Sequence, residues 1–245
     1  PTKQPKYVTI IREEVKAGRA AEHAKHEAGW PAALEKAKSP DYYVALTSMT
    51  GPLEAWYIIP SESFAQVAAS MKREDSDPVL SAELARLTHG DAEYIHRSTT
   101  LHAMARPELG MGEFPDMAKA RFFSVGMYRT HPGKEAVFEE IAKTYAAARK
   151  RAAPKTSARV YELLAGAPGP MFIVITSVED YAQLDQQMSD SMATFEKATP
   201  EDRAVFARWG EAVAGEETQR FRVDPVQSYV PRAVREKDPA FWLPK

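Results

Sequence analysis

The chain has 245 residues, 44% of them hydrophobic and 27% charged, an ordinary globular composition that suits one large domain or two of roughly 120 residues. A net charge of −2 gives no electrostatic case for nucleic acid or an anionic membrane as partner, and apolar runs such as Met171 to Ile175 are too short to span a bilayer. With no cysteine, disulfides, thiolate nucleophiles and cysteine-held metal or iron–sulfur sites are excluded, while the compartment, cytoplasmic or exported, stays open.

The first residue is Pro1, which fits a lost initiator methionine or a cleaved signal peptide. Tyr7 to Arg12 then reads as a strand. A turn at Lys16-Ala17-Gly18-Arg19 leads into a helix closed by Pro40. Tyr42 to Met49 and Ala55 to Ile59 flank Thr50-Gly51-Pro52, the pattern of a hairpin. Ser61 opens a helix with Phe64, Val67, Ala68 and Met71 on one face, and Asp77-Pro78 starts another. Thr99 to Met104 is a strand stopped by Pro107.

The same series then recurs. Phe122 to Arg129 is a strand, His131-Pro132-Gly133-Lys134 a turn, and a helix carrying Phe138, Ile141 and Tyr145 on one face runs to Pro154. Ala158 to Leu164 and Met171 to Thr176 form a second hairpin, and a helix with Tyr181, Leu184 and Met188 follows. Thr199-Pro200 starts the next helix, with Thr199 and Asp202 placed as a capping box. Gln219 to Val223 closes the series before Pro225. The two passes align at an offset of 115 residues in their first strands and helices, 117 in the helices of Phe64 and Tyr181, and 122 in their last helices, as two copies with short loop insertions would.

Strand, helix, strand, strand, helix, strand is the split βαβ, ferredoxin-like order. The expected fold class is α+β: a tandem duplicated pair of such units with antiparallel sheets packed face to face as an intramolecular α/β barrel. Residues 1–110 would be the first repeat, 111–120 a linker, 121–226 the second repeat, and 227–245 a tail docked through Tyr229, Phe241 and Trp242. Trp30, Trp56, Tyr57 and Trp209 are expected in the core.

The residues Lys-Ala-Gly-Arg (16 to 19), His-Pro-Gly-Lys (131 to 134), Thr-Gly-Pro (50 to 52) and Ser-Glu-Ser-Phe (61 to 64) resemble the dimeric α/β-barrel superfamily, and within it the NIPSNAP-like group. That resemblance implies a cavity and no particular reaction. The superfamily holds cofactor-free monooxygenases, haem-handling enzymes and proteins without known activity.

Strand alternation places Val8, Ile10, Phe123, Val125 and Met127 on the helix-packed face. Thr9, Ser124, Tyr128, His102, Arg220 and Arg222 then face the other sheet and line a cavity for a small anionic or aromatic ligand. The main expectation is small-molecule binding there. The alternatives are a cofactor-free monooxygenase or isomerase with His102 as general base, and a scaffold that oligomerises. His23 with Glu27, and Glu22 with His26, are each four apart on one helix, a spacing that suits a divalent metal, but the sequence specifies no third ligand, so His23, His26 and Glu27 are expected as histidines bonded to nearby carboxylates or strand residues rather than as a metal site. For haem, His131 lies in a turn and His102 has no accompanying motif, so no cofactor is expected. The partners expected are thus a small molecule, with no nucleic acid and no membrane; a homo-oligomer is left open.

Overall fold

The computed structural model describes residues 3–153 and 155–243. In chain order its strands and helices are β1 (Tyr7–Val15), α1 (Ala20–Glu27), α2 (Gly29–Lys36), β2 (Tyr43–Ser48), β3 (Glu54–Ser61), α3 (Phe64–Ser76), α4 (Pro78–Asp91) and β4 (Ile95–Ala105). After one 3-10 turn, Pro107–Leu109, come β5 (Phe122–Thr130), α5 (Glu135–Ala152), β6 (Arg159–Ala165), β7 (Met171–Val178), α6 (Gln183–Glu196), α7 (Pro200–Phe206), α8 (Trp209–Ala212) and β8 (Val213–Tyr229). Two short helices, α9 (Arg232–Arg235) and α10 (Pro239–Trp242), end the series. The strands are hydrogen-bonded in the order β1-β3-β2-β8-β5-β7-β6-β4, a closed barrel.

By compactness the chain divides into two units. The first holds Pro5–His102 and residues from Phe221 onward; the second holds Ala103–Arg220 and Gln4. In the first, β3 pairs antiparallel with both β1 (Tyr7↔Ser61) and β2 (Val44↔Ile58). In the second, β7 pairs in the same way with β5 (Phe122↔Val178) and β6 (Arg159↔Ile175). Tyr7 pairs with Ser61 and Phe122 with Val178, positions 115 and 117 residues apart, so the first and third strands of the two units pair in the same way. Gly18 and Gly133 both take φ near +78° (78° and 77°) just before α1 and α5, which explains glycine at each turn.

The expected sheet faces are inverted. The helix-side cluster of the first unit gathers Val15, Tyr43, Ala45, Ala55 and Tyr57 with Leu34, Leu80 and Leu87 of the helices. Thr9, Ile11 and Glu13 share that side of β1, whereas Val8 and Ile10 occupy the opposite side with Leu46 and Trp56. In the second unit Tyr128, Phe172 and Val174 pack with Phe138 and Ile141 of α5, so Phe123, Val125 and Met127 point away from the helices. The reason is physical: Val8, Ile10, Trp56 and Leu46 are as buried as Tyr57 and Ala45, so both faces are apolar and alternation alone does not label them.

The last strand also departs from expectation. β8 does not stop at Pro225 but continues to Tyr229 through a bulge, since Tyr43↔Tyr229 and Ala45↔Asp224 differ by two residues on β2 and five on β8. The bulge satisfies its own polar groups. Asp224 Oδ1 accepts from the Val226 and Gln227 amides, and Ser228 Oγ accepts from the Ala45 amide while donating to the Asp224 carbonyl. The extra residues relieve Pro225 of any need to donate to β2. Beyond it, Tyr229 Oη donates to the Ser39 carbonyl at 2.8 Å and Trp242 is buried. Residues 107–112 are packed as well: Leu109 is buried and Met111 bridges Ala158. Pro154, expected to close α5, lies outside the described residues.

The capping box forms at α7. Thr199 Oγ1 accepts from the Asp202 amide at 3.2 Å, Asp202 Oδ2 accepts from the Thr199 amide at 2.9 Å, and Arg151 joins Asp202. Thr199→Ala should lower unfolding stability by about 1 kcal/mol. Chemical denaturation reads it, and no change would mean that other contacts hold this helix end.

Candidate functional site

Each unit has a cavity between its sheet and its helices. The cavity of the first unit measures about 870 Å³, and that of the second about 600 Å³. Both fall in the range of small-molecule sites.

The expected ligand-binding residues divide between them. Thr9 and His102 line the first cavity; Ser124, Tyr128 and Arg220 line the second. Arg222 lines neither: it is exposed, and its Nε donates to Thr47 Oγ1 at 3.1 Å. The expected convergence of His102, Arg220 and Arg222 therefore does not occur. Because the sheet faces are inverted, both sets look toward helices rather than toward another sheet.

In the first cavity, His102 Nδ1 and Thr9 Oγ1 are 3.2 Å apart, joining neighbouring strands, and the Phe64 ring lies 6.3 Å from the imidazole. Three buried polar atoms of the lining residues have no hydrogen-bond partner: Trp30 Nε1, Ser61 Oγ and Glu27 Oε1. Buried polar atoms are seldom left so. The deep wall carries charge. His23 Nε2 lies 3.0 Å from Glu13 Oε2 and 4.0 Å from Glu27 Oε1. His26 Nε2 lies 2.8 Å from Asp91 Oδ1 and 3.0 Å from the Leu87 carbonyl. Gly90 lets this imidazole approach α4, since a Cβ there would stand 2.4 Å from His26 Cε1. Burial, reinforced by Glu13 and Asp91, pushes the Glu27 carboxyl up to about 9. Burial, then Glu27 and Glu13, likewise push the Tyr43 and Tyr57 phenols up.

The second cavity is aromatic. The Tyr128 ring lies 5.4 Å from Trp209 and 5.9 Å from Phe138, and burial pushes the Tyr128 phenol up. Its polar lining includes Arg149, whose Nε donates to Thr156 Oγ1 at 3.0 Å. His131 is exposed and lines neither cavity, which is a poor fit to an axial haem ligand.

Glu13 and Asp91 escaped the sequence reading. A signal for them exists. At the offsets found above, Glu13, His23, His26, Glu27 and Asp91 correspond to Tyr128, Phe138, Ile141, Ala142 and Val213, and those five residues form one apolar cluster in the second unit. A polar residue at all five positions in the first unit, against an apolar cluster in the second, is the pattern that points to the site.

The family models and the curated proteins compared with the chain gave no match. Solved structures did. A protein from Fusobacterium nucleatum, provisionally assigned as a monooxygenase, superposes with a TM-score of 0.58 at 9% identity, covering 90% of this chain and 93% of its own. This chain has the α/β-barrel fold. An anthrone oxidase-like protein shares it at a TM-score of 0.54 and 11% identity, with 94% and 96% covered. A chlorite dismutase variant from Candidatus Nitrospira defluvii shares it at 0.56 and 12% identity, with 94% and 93% covered. At these identities the likeness concerns the fold alone. No helix among the described residues is long and apolar enough to cross a membrane.

Proposed function

We propose that the chain is an enzyme of the oxygenase or isomerase kind, binding a small acidic aromatic molecule in the cavity of its first unit, with His102 as the base. The observation that carries this reading is the pairing of His102 with Thr9 on the wall of a ligand-sized cavity whose lining residues include Ser61 and Trp30, with a hydroxyl and an indole N–H that lack partners. When Nδ1–H donates to Thr9 Oγ1, Nε2 keeps its lone pair and can accept a proton from a phenolic O–H or an activated C–H. The anion so formed would be held by hydrogen bonds from Ser61 and Trp30, donors fixed before substrate arrives. Return of the proton to another atom is an isomerisation. Electron transfer from the carbanion to dioxygen followed by recombination gives a carbon-bound peroxide, which takes the proton back from His102 and loses water to leave one oxygen atom on that carbon as a ketone; this is an oxygenation, and among the fold's neighbours the Fusobacterium nucleatum protein carries the name monooxygenase and another the name anthrone oxidase-like.

Oxygen uptake measured with anthrone, hydroquinones and simple phenols tests the proposal. Turnover of at least one of these should fall about 100- to 10,000-fold in His102→Ala, while binding of the same compound, read by quenching of tryptophan fluorescence, stays within a few-fold. Full activity in that variant would remove His102 from the role. Binding without oxygen uptake or isomerisation would leave a ligand-binding protein.

A further inference from the structure

We propose that Glu13, His23 and Glu27 form a binding site for one divalent transition-metal ion in the deep wall of the first unit's cavity, bordered by the His26–Asp91 pair. The inference goes beyond the proposed proton chemistry at His102 and does not depend on it.

The donors come from two elements, Glu13 from β1 and the other two from α1, and one donor atom of each lies within 4.8 Å of the others. Atoms sharing a metal at about 2.0–2.2 Å must lie a few ångströms apart, as the 3.0 and 4.0 Å separations around His23 Nε2 do. A second grouping, His26, Glu27 and Asp91, meets the same limit and shares Glu27. Hydrogen bonding explains only part of this cluster. Glu13 satisfies His23, and Asp91 satisfies His26, but Glu27 Oε1 has no hydrogen-bond partner although the residue is only 3% exposed. That lone acceptor points toward His23 and Glu13, where a cation would supply what is missing.

The fold does not require these groups. The five matching positions of the second unit are filled by Tyr128, Phe138, Ile141, Ala142 and Val213, which pack as a plain apolar cluster. Burying three carboxylates instead is costly unless something compensates their charge. An ion also has a way in, because Glu13, Glu27 and Asp91 all line the cavity. The donor set selects among ions. Imidazole with carboxylates favours zinc, iron(II), cobalt(II) or manganese(II), whereas calcium and magnesium take oxygen alone.

The test uses the full chain, stripped with a chelator and titrated with Co²⁺ and Zn²⁺. The result expected is one ion per chain by calorimetry, a visible cobalt ligand-field band, and displacement of that band by zinc. Glu27→Gln and His23→Gln should each weaken binding at least about 100-fold, with the fold checked by circular dichroism. His102→Gln, in the same cavity but outside the cluster, should bind as the unaltered chain does. Absence of a saturable cobalt band would overturn the proposal, as would equal affinity in the Glu27 and His23 variants. Oxygen uptake has no part in these readouts, so the metal site and the role of His102 stand or fall separately.

Discussion

Trp56→Ala is expected to lower unfolding stability by about 3–5 kcal/mol, or roughly 6–20 °C in melting temperature for a chain of this size. Trp56 is fully buried on the sheet face turned away from the helices, with the Phe221 ring 4.8 Å away. It also organises polar neighbours. Its indole Nε1 donates to Glu54 Oε2 at 2.7 Å, Arg12 Nη2 donates to the two oxygens of Glu54 at 3.0 and 3.1 Å, and the Arg12 guanidinium stacks 4.5 Å from the indole. Truncation would leave a void and remove one donor from a buried carboxylate. Trp56→Phe keeps most of the volume and loses only the donor, so its loss should be smaller, about 1–3 kcal/mol. Denaturant unfolding of both variants distinguishes the contributions. A loss below about 1 kcal/mol for alanine would show that the site collapses freely around the missing ring.

The stability of the chelator-stripped chain should fall as pH rises from about 5 to 9, and Glu27→Gln should flatten that slope. The Glu27 carboxyl is raised from 4.5 to about 9, first by burial and then by Glu13 and Asp91. Its folded value lies above its unfolded one, so the folded state holds the proton more tightly. The stability this contributes is complete below pH 4.5 and is lost progressively up to about 9, at no more than about 1.4 kcal/mol per pH unit. The groups facing it are Glu13, Asp91, Tyr57 and Tyr43, with His23 and His26 alongside. Below pH 6 histidine protonation overlaps, so the comparison is cleanest from 7 to 9. Glutamine mimics the neutral carboxyl in shape and cannot ionise. Melting curves of the two proteins with equal slopes over that range would contradict the assignment.

The order of elements was legible because the sequence alternates strand and helix patterns and marks its turns with glycine and proline. Gly18, Gly133 and the Thr199–Asp202 cap fall where those patterns place them. The faces of the sheet were not legible, since Val8 and Ile10 on one side and Ile11 and Tyr57 on the other are all apolar. Pro225 misled for a different reason: a bulge lets a strand carry a proline, and no local motif announces one. At the site, His23, His26 and Glu27 were visible because helical spacing relates residues on one element. Glu13 and Asp91 reach them from β1 and α4, and only the tertiary fold brings those elements together. Thr9 and His102 line one cavity, Arg220 lines the other and Arg222 neither, a division the sequence does not show because a strand pattern gives a face but not a cavity.

The first unit is interrupted in sequence, since Pro5–His102 is completed only by the segment from Phe221 onward. The strand residues that pair with β2, from Phe221 to Tyr229, are therefore synthesised well after β2 itself, with the whole of Ala103–Arg220 in between. Until then the hydrogen-bonding edge of β2 has no partner from β8, and Tyr229 cannot tie down the carbonyl of Ser39. Until that segment emerges, a nascent chain would carry an unfinished first unit with an open strand edge that invites association or a chaperone. A fragment ending at Ala105 would lack a strand of its own unit.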